Sequence, residues 1–164
     1  MNYSTLPEIV LGETPEINVP ELAVSYTRSG KRQFGKITSS KDAADFIRKT
    51  FGEGQVELQE QFIVLYLNQA NEIIGYYKHS KGAINATVAD IRIVLATALK
   101  ALAVSMVIAH NHPSGDPQPS AEDRLVTQRL REAGELVGVP LLDHLVVGAD
   151  RFYSFAEEAF FAVG

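Results

Sequence analysis

Residues 107–123 read VIAHNHPSGDPQPSAED. The first three residues are apolar, as in a buried strand, and they lead directly into two histidines. Residues two apart on a strand project to the same face, so we expect His110 and His112 on one face and Asn111 on the other. A proline-rich loop then leads to Asp123 in the first turn of a predicted helix. Two imidazoles and one carboxylate are thus brought to the end of one strand, while Asn111 is expected to bond to the backbone.

This arrangement of side chains predicts a metal site. Two imidazoles and a carboxylate leave a tetrahedral ion one open position, which distinguishes a catalytic zinc site from a structural one. The connecting loop contains three prolines and one glycine, so it is stiff for its length and can hold a third ligand in register. A purely structural interpretation stays open, because Ser120 and Asp123 also form an ordinary helix N-cap with an acidic residue three positions later.

Composition limits the classes of function. The chain has 164 residues, 46% apolar and 21% charged, as expected for one globular domain. It contains no cysteine, which excludes disulfides, thiolate metal sites and cysteine nucleophiles. The net charge of −5 provides no general attraction for nucleic acid. We see neither a secretory leader nor an apolar stretch long enough for a membrane span, so we expect a cytoplasmic protein.

The predicted elements alternate between strands and helices, which indicates an α/β fold with a mixed sheet. Residues 1–37 are interpreted as an extended arm with a β-hairpin, and residues 38–164 as the folded domain. In the helix predicted to open at Thr87, with Asp90 as its capping partner, apolar residues surround much of the circumference, so we expect it to be largely buried. The other predicted elements are helices at 40–51, 120–137 and 156–163 and strands at 59–67, 73–78, 105–109, 139–147 and 151–155.

The spacing of the polar residues resembles the JAMM motif of the JAB/MPN metallohydrolases. The matching residues are His110, His112, Pro113, Ser120 and Asp123. The run LLDH at 141–144 extends the resemblance to the RadC-like branch of that family, over about residues 38–155. The resemblance implies a JAB/MPN-like, cytidine-deaminase-like architecture in which helices flank a mixed sheet.

The resemblance also implies a zinc ion held by His110, His112 and Asp123, with water in the fourth position. Glu60 matches the family's glutamate, which acts as general base and acid, and Ser120 matches a serine that bonds the oxyanion. On the residues alone, Glu60 is simply an acid at the entry to a strand. It would reach the metal if its strand lay antiparallel to the one that ends at His110. His144 falls within a buried strand, where we interpret it as a core or supporting residue rather than a ligand.

The sequence therefore predicts a zinc-dependent metallohydrolase that cleaves peptide or isopeptide bonds in a peptide or protein substrate. Two alternatives stay open: a DNA-binding or DNA-processing module associated with DNA repair, and a non-catalytic scaffold that keeps its metal. Longer RadC-like proteins carry a helix-hairpin-helix segment, and no such pattern precedes the matched region here. Together with the acidic charge, this disfavours nucleic acid as a partner. No membrane partner is expected, and a homo-oligomer is left open.

Overall fold

A computed structural model of the chain describes residues 35–51, 57–81 and 89–161. The arm and hairpin predicted over 1–37 lie almost wholly outside these ranges. The described residues form three helices and five strands in the order α1 (Ser40–Phe51), β1 (Gln61–Leu67), β2 (Ile73–Lys81), α2 (Ile91–Lys100), β3 (Ser105–Asn111), α3 (Ala121–Leu136), β4 (Leu141–Val147) and β5 (Phe152–Ser154).

The five strands form one mixed sheet in the order β2-β1-β3-β4-β5. β3 and β4 are parallel, while the other neighbours are antiparallel. A parallel pair needs a crossover connection, and α3 supplies it between β3 and β4. The predicted mixed α/β fold is therefore confirmed, and β1 lies antiparallel to β3 with Phe62 opposite His110.

The core is divided between the two faces of the sheet. On one face, Ile63 and Leu65 of β1 pack with Ile47 of α1. On the other, Phe62 and Val64 of the same strand belong to the cluster that includes residues of α2 and α3. Every residue of β1 is buried, because helices cover both sides of the sheet, and this explains its nearly unbroken apolar sequence.

The start of α2 differs from the prediction. The helix begins at Ile91, where the side chain of Asp90 accepts a hydrogen bond from the backbone N–H of Arg92. Thr87, the predicted start, lies outside the described residues. The expected burial around most of the helix is wrong, because Val94 and Ala98 are buried while Ile93 is 45% and Leu99 is 49% exposed.

The predicted C-terminal helix is also wrong, because residues 156–161 form turns. Ala159 has φ of 56°, in the left-handed region that ends a helical turn. The carboxylate of Asp143 accepts a hydrogen bond from the Ala156 N–H and ties this segment to β4. Among the described helices, none has the length and apolar character needed to cross a bilayer.

Candidate metal centre

Three side chains from two elements meet at the end of β3. His110 is the next-to-last residue of β3, His112 follows its end, and Asp123 lies in the first turn of α3. The Nε2 atoms of the two histidines are 3.0 Å apart. The carboxylate oxygens of Asp123 lie 3.2 Å from Nε2 of His110 and 3.6 Å from Nε2 of His112. The structure thus brings together the three residues that the sequence proposed as metal ligands.

The local backbone fixes both ends of this group. The N–H of His112 donates to the Val147 carbonyl, so the chain beyond β3 stays beside β4. At the other end, Ser120 and Asp123 form a capping box on α3. The backbone N–H and the hydroxyl of Ser120 both donate to Oδ2 of Asp123, at 2.7 and 2.8 Å. The helix cap therefore also orients the carboxylate.

The histidines hold Asp123 in its ionised form. Burial alone would raise the pKa of Asp123, but the hydrogen bonds that His110 and His112 donate to it when their Nε2 atoms carry a proton outweigh burial and hold the pKa far below its ordinary value. In the opposite sense, the hydrogen bond to Asp123 raises the pKa of His112, with a smaller contribution from the charge of Glu60. The site therefore presents a carboxylate at any pH near neutrality.

The hydrogen bond behind His112 leaves a lone pair facing Asp123. Nδ1 of His112 lies 2.8 Å from the carbonyl oxygen of Asp116, which can only accept. Nδ1 must therefore carry the proton, and neutral His112 presents a bare Nε2 to the centre of the group. Ligand atoms of His110, His112 and Asp123 all lie within 4.8 Å of one another. Two nitrogens and a carboxylate oxygen suit zinc and related divalent ions, so the group could hold a metal ion.

Glu60 lies beside this group. It directly precedes β1, is half-buried, and follows the antiparallel register in which Phe62 faces His110. The backbone pairing ends at Phe62 and His110, and the charge of Glu60, two residues before Phe62, acts on His112 and contributes to its raised pKa. The sequence left the relative direction of these two strands open, and the structure shows that β1 and β3 are antiparallel.

Asn111 holds the backbone on both sides of Glu60. Its Oδ1 accepts from the Gln61 N–H at 2.8 Å, and its Nδ2 donates to the Gln59 carbonyl at 2.9 Å. The side chain is fully buried. Sequence reasoning predicted bonding to the backbone but could not tell which backbone, because the partner segment lies about 50 residues away in the chain.

A second buried layer lies behind His110. Nε2 of His144 is 2.9 Å from Nδ1 of His110, and Nδ1 of His144 is 2.5 Å from the hydroxyl of Thr127. The His144 ring stacks on Phe155 at 4.8 Å, and burial lowers the pKa of His144 so that it is neutral. His144 is therefore a neighbour of a ligand and not itself in the ligand group. Sequence reasoning missed Thr127, whose only signal is its place one helical turn after Asp123.

Comparison with known proteins agrees with this architecture. Residues 37–160 match the family described as RadC-like JAB domain. The chain belongs to this family. The RadC-like JAB domain accounts for the mixed sheet and includes all three residues of the possible metal site.

Relatives of this RadC-like chain carry names that state no activity. A UPF0758 protein of Flavobacterium johnsoniae is 36% identical over 158 residues, covering 92% of this chain and 66% of the relative. Another, of Shouchella clausii, is 39% identical, covering 96% of this chain and 67% of the relative. A third, of Enterococcus faecalis, is 39% identical over 142 residues and is itself covered to 60%. The chain thus spans about two thirds of these proteins.

Proposed function

We propose that this RadC-like JAB domain is a zinc-dependent metallohydrolase that cleaves peptide or isopeptide bonds. The observation that carries the proposal is the convergence of His110, His112 and Asp123 beside Glu60. When bound by the three ligands, zinc supplies Lewis acidity that makes hydroxide available at neutral pH. A single half-buried carboxylate next to such a group is suited to moving protons.

The chain's own residues would divide the remaining work. Glu60 accepts a proton from the attacking water and returns it to the leaving amine. The two hydrogen bonds of the Asn111 side chain hold the backbone on either side of Glu60 in place. Ser120 is exposed, and its hydroxyl lies beside the ligand carboxylate. We propose that this hydroxyl turns from Asp123 to donate to the oxyanion of the substrate.

The metal is tested by elemental analysis of protein purified with zinc. We expect about one zinc per chain in the wild type and almost none in His112→Ala or Asp123→Asn, which each remove a ligand. Glu122→Gln is the matched control, because it changes the neighbouring acid on the same turn of α3 and should keep its zinc. A wild-type protein free of zinc, or an Asp123→Asn variant that keeps it, would overturn the metal site.

The reaction is tested with peptide and isopeptide libraries. Glu60→Gln should keep its zinc and lose at least about 100-fold in turnover, since general acid–base catalysis contributes that much or more. Glu57→Gln, which changes an exposed acid three residues earlier, should retain full activity. Salt-dependent DNA binding or nicking without peptide cleavage would favour the DNA-processing alternative. Intact zinc with no turnover and a stable partner complex would favour the scaffold.

A further inference from the structure

Behind His110, three buried side chains are linked in series by hydrogen bonds. Thr127, His144 and His110 are each 0–1% exposed, so no water can replace their mutual hydrogen bonds. They come from three different elements, α3, β4 and β3. This series of hydrogen bonds ends at the backbone carbonyl of Asp123, whose oxygen lies 2.5 Å from Thr127 Oγ1. Each link therefore needs a proton in a defined place.

The backbone carbonyl of Asp123 determines where the protons of Thr127, His144 and His110 lie. The Asp123 carbonyl can only accept, so the one hydroxyl proton of Thr127 is donated to it. The Thr127 oxygen must then accept from Nδ1–H of His144. His144 is fully buried and stacked on Phe155, where an unpaired charge would be costly, so its ring carries only that one proton. Its Nε2 therefore accepts from Nδ1–H of His110. With Nδ1 protonated, neutral His110 has a bare Nε2, and this is the atom that faces His112 and Asp123.

We propose that Thr127 and His144 are positioning residues that fix the tautomer of His110, so that its Nε2 lone pair faces the metal position. The tautomer itself is independent of the proposed function, and only its consequence for zinc affinity rests on that function. Outer hydrogen bonds of this kind typically change metal affinity by 10- to 100-fold. The arrangement gives His110 the same protonation pattern that the Asp116 carbonyl gives His112.

Loss of the Thr127 hydroxyl would remove the group that sets the direction of hydrogen-bond donation between His110 and His144. The proton of His144 would then move to Nε2 and be donated to Nδ1 of His110. The proton of His110 would in turn move to Nε2, where Asp123 can accept it at 3.2 Å. Zinc would have to displace that proton and reverse both rings, so binding would be weaker.

Two substitutions at Thr127 separate hydrogen bonding from packing. Thr127→Val keeps the shape and loses the hydroxyl, whereas Thr127→Ser keeps the hydroxyl and loses a methyl group. Tautomers are read in zinc-free protein by long-range ¹H–¹⁵N NMR of the imidazoles, and zinc affinity by competition with a chelator. We expect wild type and Thr127→Ser to show Nδ1–H on His110. Thr127→Val should show Nε2–H and bind zinc at least about tenfold more weakly.

Thr50→Val is the matched control, because Thr50 also donates to a helix carbonyl but lies in α1, away from the site. His144→Phe is a second route, since it keeps a ring against Phe155 and removes the acceptor for His110. It should also lose the Nδ1–H preference and at least about tenfold in zinc affinity. An Nδ1–H tautomer that persists in Thr127→Val or His144→Phe would overturn the inference. If the wild type does not bind zinc, the proposed function is wrong. The NMR measurement on zinc-free protein still tests the tautomer of His110.

Discussion

At the scale of single residues, Asn111 shows how a side chain can take over backbone pairing. Its amide nitrogen donates to the carbonyl of Gln59, and its amide oxygen accepts from the N–H of Gln61. A strand would meet the same two groups with its own backbone. The bond to the Gln61 N–H is buried and the bond to the Gln59 carbonyl is part-buried, so loss of the first leaves a polar group without water to replace its partner.

Asn111→Asp should destabilise the protein. The carboxylate keeps the acceptor for Gln61 but directs an oxygen at the Gln59 carbonyl, in a fully buried position. We expect a loss of about 2–4 kcal/mol in the free energy of unfolding, measured by chemical denaturation. Asn71→Asp, at an exposed position in the β1–β2 turn, is the control and should cost much less. An equal loss of the free energy of unfolding in the two variants would argue against a stabilising role for the Asn111 hydrogen bonds.

Asp143 should give the protein a measurable pH dependence. Burial raises its pKa above the ordinary 3.8, opposed in part by hydrogen bonds from the Ser154 hydroxyl and the Ala156 N–H. The folded protein thus binds this proton more tightly than the unfolded chain does. The resulting stabilisation is present below the ordinary pKa and is lost as pH rises through the folded one.

Asp143→Asn removes that titration. The free energy of unfolding of the variant, minus that of the wild type, should therefore increase as pH rises from about 4 to 7. Denaturation curves at several pH values measure it. A difference that stays constant or falls over this range would contradict the raised pKa.

At the scale of elements, the N-terminus of α3 serves both the helix and the site. The Ser120 hydroxyl accepts from the Asp123 N–H, which caps the helix, and donates to the Asp123 carboxylate, which orients a ligand. Ser39 caps α1 in the same way, accepting from the Asp42 N–H, but Asp42 is not one of the candidate ligands. The two caps therefore allow a matched comparison.

Ser120→Ala and Ser39→Ala should cost similar stability and differ in metal binding. Loss of a serine N-cap costs about 1 kcal/mol in the free energy of unfolding. Only Ser120→Ala also frees the ligand carboxylate, so its zinc affinity should fall by several-fold while that of Ser39→Ala stays at the wild-type level. Denaturation and chelator competition measure the two effects. Unchanged zinc affinity in Ser120→Ala would show that the backbone N–H alone suffices to orient Asp123.

At the scale of the whole molecule, the loop after His112 rests against the residue that follows β4. A Cβ atom added to Gly148 would lie 2.4 Å from the carbonyl oxygen of Gly115. The same loop supplies the Asp116 carbonyl that accepts from His112. The shape of the metal site therefore depends on a glycine more than 30 positions along the chain.

Gly148→Ala should displace this loop and weaken zinc binding by about tenfold, the lower end of the effect of outer-shell partners. Gly75→Ala is the control, because a Cβ there meets nothing within 4 Å. Chelator competition and thermal denaturation of both variants measure the effects. Wild-type zinc affinity in Gly148→Ala would show that the loop can move without cost to the ligands.

The sequence by itself determined the α/β class, most of the elements and the group of candidate ligands, because these depend on local periodicity and on a short spaced motif. It failed at the start of α2, where capping depends on which acid reaches a backbone N–H, and at residues 156–161, where Asp143 of a distant strand ties down the turn. Only the tertiary structure decided that Asn111 bonds to the backbone next to Glu60, and that Thr127 and His144 form a hydrogen-bonded series with His110. Those contacts join separate elements, and their partners are fixed by strand order and register, which no local pattern encodes.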